Sequence, residues 1–441
     1  AYNAEVPAKV SARCAVFAES DIVHHFQRGS STESIAAGLC HVLPRNFVNG
    51  VCKGKNIEPP VYFIGGVAKN KAVVKFLEEE LGQEIIVPED LNYIKSTGCA
   101  HVPELSKLNL SEIRKKFQSY KKEEKSFRIK PLTLHSNPNS KLPYEVIDEH
   151  NNNKVLLSIN PDYKLNSESK TRVYLGLDVG SVSTKAVLID EKGDFILGLY
   201  ERTSGKPIDA VKDVIGRIGN LNRGGKKVKY LVEVLESGTT GSGRDVAAKI
   251  IGAGVVKNEI TAQAQGATFF YPDVDTVFEI GGQDSKYIFI KDKKVIDNEM
   301  NKVCAASTGS FLEEQAKILG INIEKEFGNL ALKSKSPCGL SEKCAVFMAS
   351  SLLSHHNSSL EDKCAGLAYS ICMNYLNRVA KKEQIGDKIV FQGAVAFNKS
   401  IIAGFEALLG KEIYVPKYPH LTGAIGIAKI CKDYSGGENG I

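Results

Sequence analysis

The chain has 441 residues, 24% of them charged and 43% hydrophobic, proportions of a globular protein that exclude a fibrous or largely disordered chain. Its 57 Lys and Arg against 51 Asp and Glu give a net charge of +6, too slight a bias over this length to point to nucleic acid or to an anionic membrane. No run approaches the roughly 20 apolar residues that cross a bilayer, and the N-terminus shows no basic region followed by an apolar stretch and a cleavage site, so a cytoplasmic protein of several domains is expected.

The chain opens inside a repeat. Cys14-Ala15-Val16-Phe17 recurs as Cys344-Ala345-Val346-Phe347, and the run Tyr62 to Asn70, carrying Gly65-Gly66, recurs in character as Val390 to Asn398, carrying Gly393-Ala394. Leu81-Gly82-Gln83-Glu84-Ile85-Ile86-Val87-Pro88 matches Leu409-Gly410-Lys411-Glu412-Ile413-Tyr414-Val415-Pro416. Blocks that keep their order and nearly keep their spacing mark a duplicated unit. Nothing in residues 1–105 matches the part of the later unit that begins near Arg172. The segment 1–105 is therefore expected to be the C-terminal half of a first module, with its opening half upstream. Residues 106–170, rich in Lys, Ser, Asn and Pro, read as a connector, and 171–435 as a complete second module.

Within that module, the apolar run Val173 to Leu177 leads into Asp178-Val179-Gly180-Ser181-Val182-Ser183-Thr184-Lys185 and then Ala186 to Ile189, a strand, a polar turn and a second strand. Gly180 permits close backbone approach, and Ser181, Ser183, Thr184 and Lys185 offer donors that suit a phosphate chain. Asp178 is placed to orient Mg²⁺ through water. The logic recurs in Thr276 to Ile280, Gly281-Gly282-Gln283-Asp284, and Ser285 to Ile290. Two such hairpins facing each other across a cleft would grip one nucleotide, with Glu279 or Asp284 near the metal and Gln283 near the attacking water. The chain has no G-x-x-x-x-G-K-[ST], which disfavours a P-loop NTPase.

Ten cysteines without a secretion signal argue against disulfides, and the lack of any C-x-x-C disfavours zinc ribbons and ferredoxin-type runs. Cys304 lies shortly before the helical pattern that contains Phe311 and Leu312, and Cys344 directly before one that begins at Ala345. A thiolate near a helix N-terminus is stabilised by the helix field. Cys40, Cys52, Cys99, Cys364, Cys372 and Cys431 read as core residues.

The paired hairpins and the late turn at Gly393 resemble the superfamily of acetate and sugar kinases, heat-shock chaperones and actin. More narrowly, Asp178–Lys185, Thr240-Gly241-Ser242-Gly243-Arg244, Glu259-Ile260-Thr261, Glu279–Lys286 and Cys304–Glu313 resemble the activator ATPases of 2-hydroxyacyl-CoA dehydratases and benzoyl-CoA reductases, the BadF/BadG/BcrA/BcrD type. The resemblance spans about 171–430. It implies an actin-like, ribonuclease H-like α/β fold with mixed sheets flanked by helices. It also implies an ATP-dependent electron donor with ATP, Mg²⁺ and a [4Fe–4S] cluster bridged across a dimer.

On that resemblance Asp178, Glu279, Gln283 and Asp284 are the expected catalytic residues. Gly180, Ser181, Ser183, Thr184, Lys185, Gly281 and Gly282 are expected at the phosphates. Ser307, Thr308, Gly309, Glu313, Gly393, Ala394 and Asn398 are expected beside the adenosine. Cys304 and Cys344 are the expected cluster ligands, and Cys14, the counterpart of Cys344, a third in a pseudo-dimer formed in cis. The implied partners are a cluster-containing dehydratase or reductase as acceptor and a low-potential donor such as ferredoxin or flavodoxin. Glu279 stands where the family usually has Asp, Ser307 where it has Gly, Gln263 where it has His, and Ala394 alters the Gly-Gly turn. A small-molecule kinase on the same fold, or a nucleotide switch without turnover, are the rival readings.

Overall fold

The computed structural model describes residues 1–2, 4–10, 18, 21–22, 25–26, 29–52, 55–89, 93–101, 109, 111–112, 114–115, 129–136, 143–150, 153–166, 168–301, 304–340, 342, 344–380 and 385–435. The chain divides into two compact units, Ala1–Phe127 and Arg128–Ile441. No helix among the described residues is long and apolar enough to cross a membrane.

The first unit holds α1 (Thr32–Phe47), β1 (Val61–Tyr62), α2 (Lys71–Leu81), β2 (Ile85–Ile86) and α3 (Ile94–Ala100). Ser31 caps α1 by accepting from Ser34 N, and Asn70 caps α2 by accepting from Ala72 N and Val73 N. Strands β1 and β2 run parallel, Val61 opposite Ile85. A small core gathers Ala37, Ala72 and Phe76.

The second unit is built on two sheets. The first comprises β3 (Glu145–His150), β4 (Asn153–Ile159), β5 (Thr171–Val179), β6 (Ser183–Asp190) and β7 (Phe195–Arg202). Helix α4 (Pro207–Asn220), a small hairpin of β8 (Asn222–Arg223) and β9 (Lys226–Lys227), and α5 (Val228–Leu231) lead to β10 (Val232–Thr240), α6 (Arg244–Ile251), β11 (Val255–Val256) and α7 (Glu259–Phe270). The order across the sheet is β11-β10-β5-β6-β7-β4-β3, parallel only where β10 meets β5 and β11. The second sheet takes β12 (Thr276–Ile280), β13 (Ser285–Lys291) and β14 (Lys294–Asn301) as an antiparallel meander. After α8 (Gly309–Leu319), α9 (Gly328–Leu332), α10 (Ala345–Ser354) and α11 (Leu360–Arg378), β15 (Ile389–Gln392) joins β12 in parallel. Helix α12 (Lys399–Leu409) then leads to β16 (Ile413–Tyr414) beside β15, and α13 (Thr422–Ser435) closes the chain. Each sheet thus has a hairpin meander on one side and parallel crossovers on the other.

Alternation along β5 decides what covers it. Val173, Leu177 and Val179 face Val211 and Val214 of α4, while Tyr174 joins Ile425, Ile427 and Ala428 of α13 on the opposite face. Side chains such as Leu177, fully buried, each contribute about 1.5–3 kcal/mol. On one face of the second sheet Phe278, Phe391, Tyr375 and Phe405 make an aromatic cluster with centroids 5.0–5.5 Å apart. Helices α7 and α13 meet backbone to backbone. A Cβ on Gly266 would overlap the Thr422 carbonyl, and one on Gly426 the Ala262 carbonyl.

Two sequence expectations change here. The segment 106–170, expected as a connector, supplies β3 and β4 to the first sheet, β4 pairing antiparallel with β7. Before that strand pair, His135 N and Ser136 N donate to the Glu406 carboxylate and Lys130 O accepts from Tyr369 Oη. The body of the second unit therefore extends N-terminal to residue 171.

The repeat is closer in geometry than in sequence. An offset of 328 residues takes Gly65 (φ 97°, ψ 168°) to Gly393 (88°, 167°), Asn70 (−85°, 100°) to Asn398 (−84°, 102°), and Gly82 (66°, 26°) to Gly410 (65°, 22°). The same offset takes the pairing Val61–Ile85 to Ile389–Ile413. It also takes the cap Ser31 to the cap Ser359, and so α1 onto α11, a match that spacing alone had not revealed. Cys14 lies outside the described residues.

Candidate functional site

At the end of β5 the turn closes with Gly180 N donating to Ser183 O at 2.9 Å. Asp178 is buried and takes a hydrogen bond from Lys185 Nζ at 3.0 Å, across the hairpin. Burial works against the lysine charge, yet Asp178 more than offsets it and holds Lys185 above the usual lysine range. Thr184 is buried on Thr203, whose hydroxyl donates to Gly180 O at 2.8 Å, so Thr184 braces the turn from behind. Ser181, by contrast, is exposed at the tip, 3.4 Å from the hydroxyl of Ser242.

The Thr240–Gly243 turn at the end of β10 presses against this hairpin. Gly243 N donates to Val179 O at 2.8 Å, and a Cβ on Gly241 would meet Asp178 Oδ1. From the other side comes the start of α13, where a Cβ on Gly423 would lie 2.6 Å from Asp178 Oδ2. Beneath it Thr422 Oγ1 and Gln392 Nε2 both donate to Gln263 Oε1, at 2.9 and 2.8 Å. Thr240 Oγ1 and Gln392 Oε1 stay buried without a hydrogen-bond partner among the described residues.

The second hairpin carries a buried cage. Lys286 Nζ is 2.9 Å from Glu279 Oε2, 3.0 Å from Asp284 Oδ1 and 3.1 Å from Glu259 Oε2. Burial pushes the Glu279 carboxyl up to about 7 against the pull of Lys286, while the three carboxylates hold the lysine well above its usual range despite its own burial. Each hairpin feels the other: Lys185 and Glu279 influence one another electrostatically, and a Cβ on Gly282 would lie 3.1 Å from Val182 at the opposite tip. The half-buried Gln283 lies in this second turn.

Residues expected beside the adenosine divide into those that line a surface and those that hold the frame. Ser307 and Thr308 are fully buried, the latter donating to Ala305 O. Gly309 N and Ser310 N donate to the carbonyls of Gly281 and Gly282, at 2.8 and 2.9 Å, stitching α8 to the second hairpin. Gly393 is buried against the Ile280 carbonyl, and Asn398 caps α12 through Ser400 N. Ala394 and Glu313 are exposed, Glu313 3.4 Å from Arg202 at the end of β7.

From the same hairpin a polar relay runs to Cys304. Ser285 shares a hydrogen bond with Ser307 at 3.1 Å. Asn301 Nδ2 donates to Ser307 Oγ at 2.8 Å and to Cys304 O at 2.9 Å, while its Oδ1 accepts from Cys304 N. Cys304 sits near, not at, an α-helix N-terminus. It precedes a three-residue 3-10 turn, and the extended Thr308 (φ −128°, ψ 166°) delays α8 to Gly309. Its positive neighbour is instead Arg378, whose Nη1 lies 3.6 Å from Sγ.

Cys344 does cap an α-helix, α10, and opens on a surface depression of about 560 Å³ that Arg378 also lines. The guanidinium thus ties the surroundings of the two half-buried thiols together. Among the described residues no group of three Cys, His or carboxylate side chains gathers to hold a metal. The soft sulfurs of Cys304 and Cys344 suit iron, and the hard oxygens of Asp178, Glu279 and Asp284 suit Mg²⁺ in kind, although each of these carboxylates is engaged by Lys185 or Lys286. Cys364, Cys372 and Cys431 are buried, and desolvation raises all three thiols; Cys40 is half-buried against the first unit's core, Cys52 is half-buried and Cys99 is exposed.

A model of the BadF/BadG/BcrA/BcrD ATPase family matches residues 2–100 and 175–430. The chain is 31% identical over 261 residues to the 2-hydroxyisocaproyl-CoA dehydratase activator of Clostridioides difficile, covering 58% of this chain and 92% of that protein. It is 30% identical over 260 residues to the (R)-2-hydroxyglutaryl-CoA dehydratase activating ATPase of Acidaminococcus fermentans, covering 58% and 95%. The solved structure of the activator of 2-hydroxyisocaproyl-CoA dehydratase from Clostridium difficile with bound ADPNP shares 28% identity and a TM-score of 0.52, over 60% of this chain and 96% of that one.

Proposed function

Because the chain belongs to the BadF/BadG/BcrA/BcrD ATPase family and has its actin-like ATPase fold, we propose that it is an ATP-driven one-electron donor. Its acceptor would be a cluster-containing dehydratase or reductase. Relatives that activate 2-hydroxyacyl-CoA dehydratases support an ATP-dependent activator role. The observation that carries the nucleotide part is the convergence of the two hairpins, with Gly282 against Val182 and Lys185 within the field of Glu279.

In this reading the phosphates lie between the two turns. Lys185, Ser181 and the backbone at Gly180, Gly281 and Gly282 receive them, and Ser183 and Thr184 brace the first turn. Asp178, Glu279 and Asp284 would offer oxygens to Mg²⁺, directly or through water, and the ion would neutralise phosphate charge. Gln283 orients water for attack on the terminal phosphorus, giving ADP and phosphate. Ala394, Glu313 and the backbone around Gly309 and Gly393 border the adenosine, while Ser307, Thr308 and Asn398 hold that wall from within.

Cys304 and Cys344 would hold half of a [4Fe–4S] cluster, which when bound supplies the single low-potential electron. The other two thiolates come from a second module, either in a homodimer or in cis with Cys14 contributing. Arg378 offsets negative charge at the thiolates, and the relay from Ser285 through Ser307 and Asn301 makes the position of Cys304 depend on the state of the nucleotide turn. A ferredoxin or flavodoxin would return the electron.

The test is anaerobic iron and sulfide analysis with electron paramagnetic resonance after dithionite reduction, on the protein and on Cys304→Ser, beside an assay of ATP turnover. Bound iron with a reduced-state signal that the substitution abolishes is expected. ATP turnover without iron after reconstitution, or phosphate transfer to a sugar, overturns the electron-donor reading.

A further inference from the structure

The β3–β4 hairpin is hydrogen-bonded into the first sheet, yet side chains at both its ends touch turns that belong to the second. Tyr144, which leads into β3, meets Phe397 of the Ala394–Phe397 turn edge to face, with centroids 5.3 Å apart, and His420 of the Pro419–Leu421 turn at 5.4 Å. Near the tip of the hairpin, Lys154 Nζ lies 2.6 Å from Glu324 Oε2 in the Ile323–Phe327 turn. Two of these turns, those of Phe397 and Glu324, back the wall proposed for the adenosine. Ala394 opens the first, and Gly328, directly after the second, packs on Asn398 so closely that a Cβ would lie 2.9 Å from its Oδ1.

His420 carries the contact inward. Its Nε2 is 3.3 Å from Ser158 Oγ of β4, its ring is 5.1 Å from Phe397, and Pro419 O beside it accepts from Gly393 N. Burial, and after it the charge of Lys185, hold the pKa of His420 down to about 3, so the ring is neutral and packs as an aromatic. The lysine of the first phosphate hairpin is thus within the electrostatic reach of a ring that Tyr144 braces. Upstream, the same segment is tied to α12, where His135 N and Ser136 N donate to the Glu406 carboxylate. All of it lies between the two stretches that the family model matches, 2–100 and 175–430.

We propose that Tyr144 is a positioning residue for the nucleotide, with Lys154 as its outer support: together they hold the adenosine wall at a fixed distance from the first phosphate hairpin. A nucleotide that spans both hairpins binds more tightly when that distance is set before it arrives, because ordering the two halves on binding costs affinity. The two ring contacts of Tyr144 carry most of the effect. The Lys154–Glu324 pair is partly exposed and contributes little by itself. The role rests on nucleotide binding between the two hairpins, as proposed above, and not on iron.

The probe is ADPNP, titrated calorimetrically into the whole protein, beside ATP turnover and thermal unfolding. Tyr144→Ala should raise the Kd for ADPNP and the KM for ATP roughly tenfold while leaving kcat within about twofold. Tyr144→Phe keeps the ring and should match the parent. Lys154→Glu, a surface change that the fold tolerates, should raise Kd about threefold, and adding Glu324→Lys should restore it. A lowered thermal midpoint with parent-like Kd and KM overturns the proposal, because the residue would then serve stability alone. So does a fall in kcat without a change in KM, a Tyr144→Phe protein that binds as weakly as Tyr144→Ala, or a charge swap that restores nothing. Should the parent bind ADPNP and Tyr144→Ala leave that binding unchanged, this inference alone fails. A parent that binds no ADPNP overturns the nucleotide reading, and the positioning role with it.

Discussion

Lys286 reaches across its hairpin to Glu279 at 2.9 Å and is the cation central to three carboxylates, those of Glu259, Glu279 and Asp284. Removing one partner of a buried pair leaves the others uncompensated, at a cost of about 3–5 kcal/mol. Lys286→Met should therefore lower the denaturation midpoint strongly at pH 8 and less at pH 5.5, where the buried Glu279 carboxyl can take up a proton. Urea titrations at the two pH values measure this, and equal losses would contradict it.

Glu279 keeps its proton in the folded chain to about pH 7, against 4.5 as its ordinary value. Between these values the native state binds the extra proton, so this group's contribution to stability is complete at the acid end and is lost as pH rises through 7. Its metal-binding form appears over the same range. ATP hydrolysis should rise with an inflection near 7 that moves to lower pH as Mg²⁺ is increased. Glu279→Gln should remove the inflection along with most of the activity, as a pH–rate profile would show.

The Ser285–Ser307–Asn301 relay predicts an uncoupled enzyme. Ser307→Gly leaves the buried Ser285 hydroxyl short of a partner, costing about 1–3 kcal/mol, and frees the loop that carries Cys304. ATP turnover should persist. The difference in Cys304 alkylation rate between ADPNP-bound and free protein should largely vanish, measured by mass spectrometry of the labelled peptide.

Gly423 leaves Asp178 its place at the start of α13. A methyl group there would sit 2.6 Å from Oδ2 of the carboxylate. Gly423→Ala should reduce ATP hydrolysis at least tenfold while costing about 1–3 kcal/mol of stability. Steady-state kinetics beside thermal unfolding separates the two effects. Activity close to that of the parent would remove Asp178 from the proposed metal site.

What could be read from the sequence was what is local. Strand, polar turn and strand show as apolar runs broken by glycine, and the repeat shows because Gly65, Asn70 and Gly82 keep their neighbours at Gly393, Asn398 and Gly410. The strand Glu145–His150 was hidden because it is an edge strand whose short apolar pair, Val146-Ile147, is flanked by charged residues and too brief to mark it. Likewise the Ser307 hydroxyl is placed by Ser285 and Asn301 from the second sheet, and the third carboxylate around Lys286 arrives from the first turn of α7. Neither leaves a pattern in composition. The positive charge beside Cys304 escaped for the same reason, since Arg378 comes from the far end of α11.

The backbone contact between α7 and α13 limits which substitutions this chain can accept. At Gly266 and Gly426 the opposing carbonyl occupies the space of any side chain, so neither helix can accept a larger residue there by a compensating change at one position. The two helices are constrained as a matched pair. A chimaera that takes its last helix from a relative must take the stretch from Glu259 to Phe270 with it, or lose the alignment of Gln263 under Gly423 and with it the floor of the cleft.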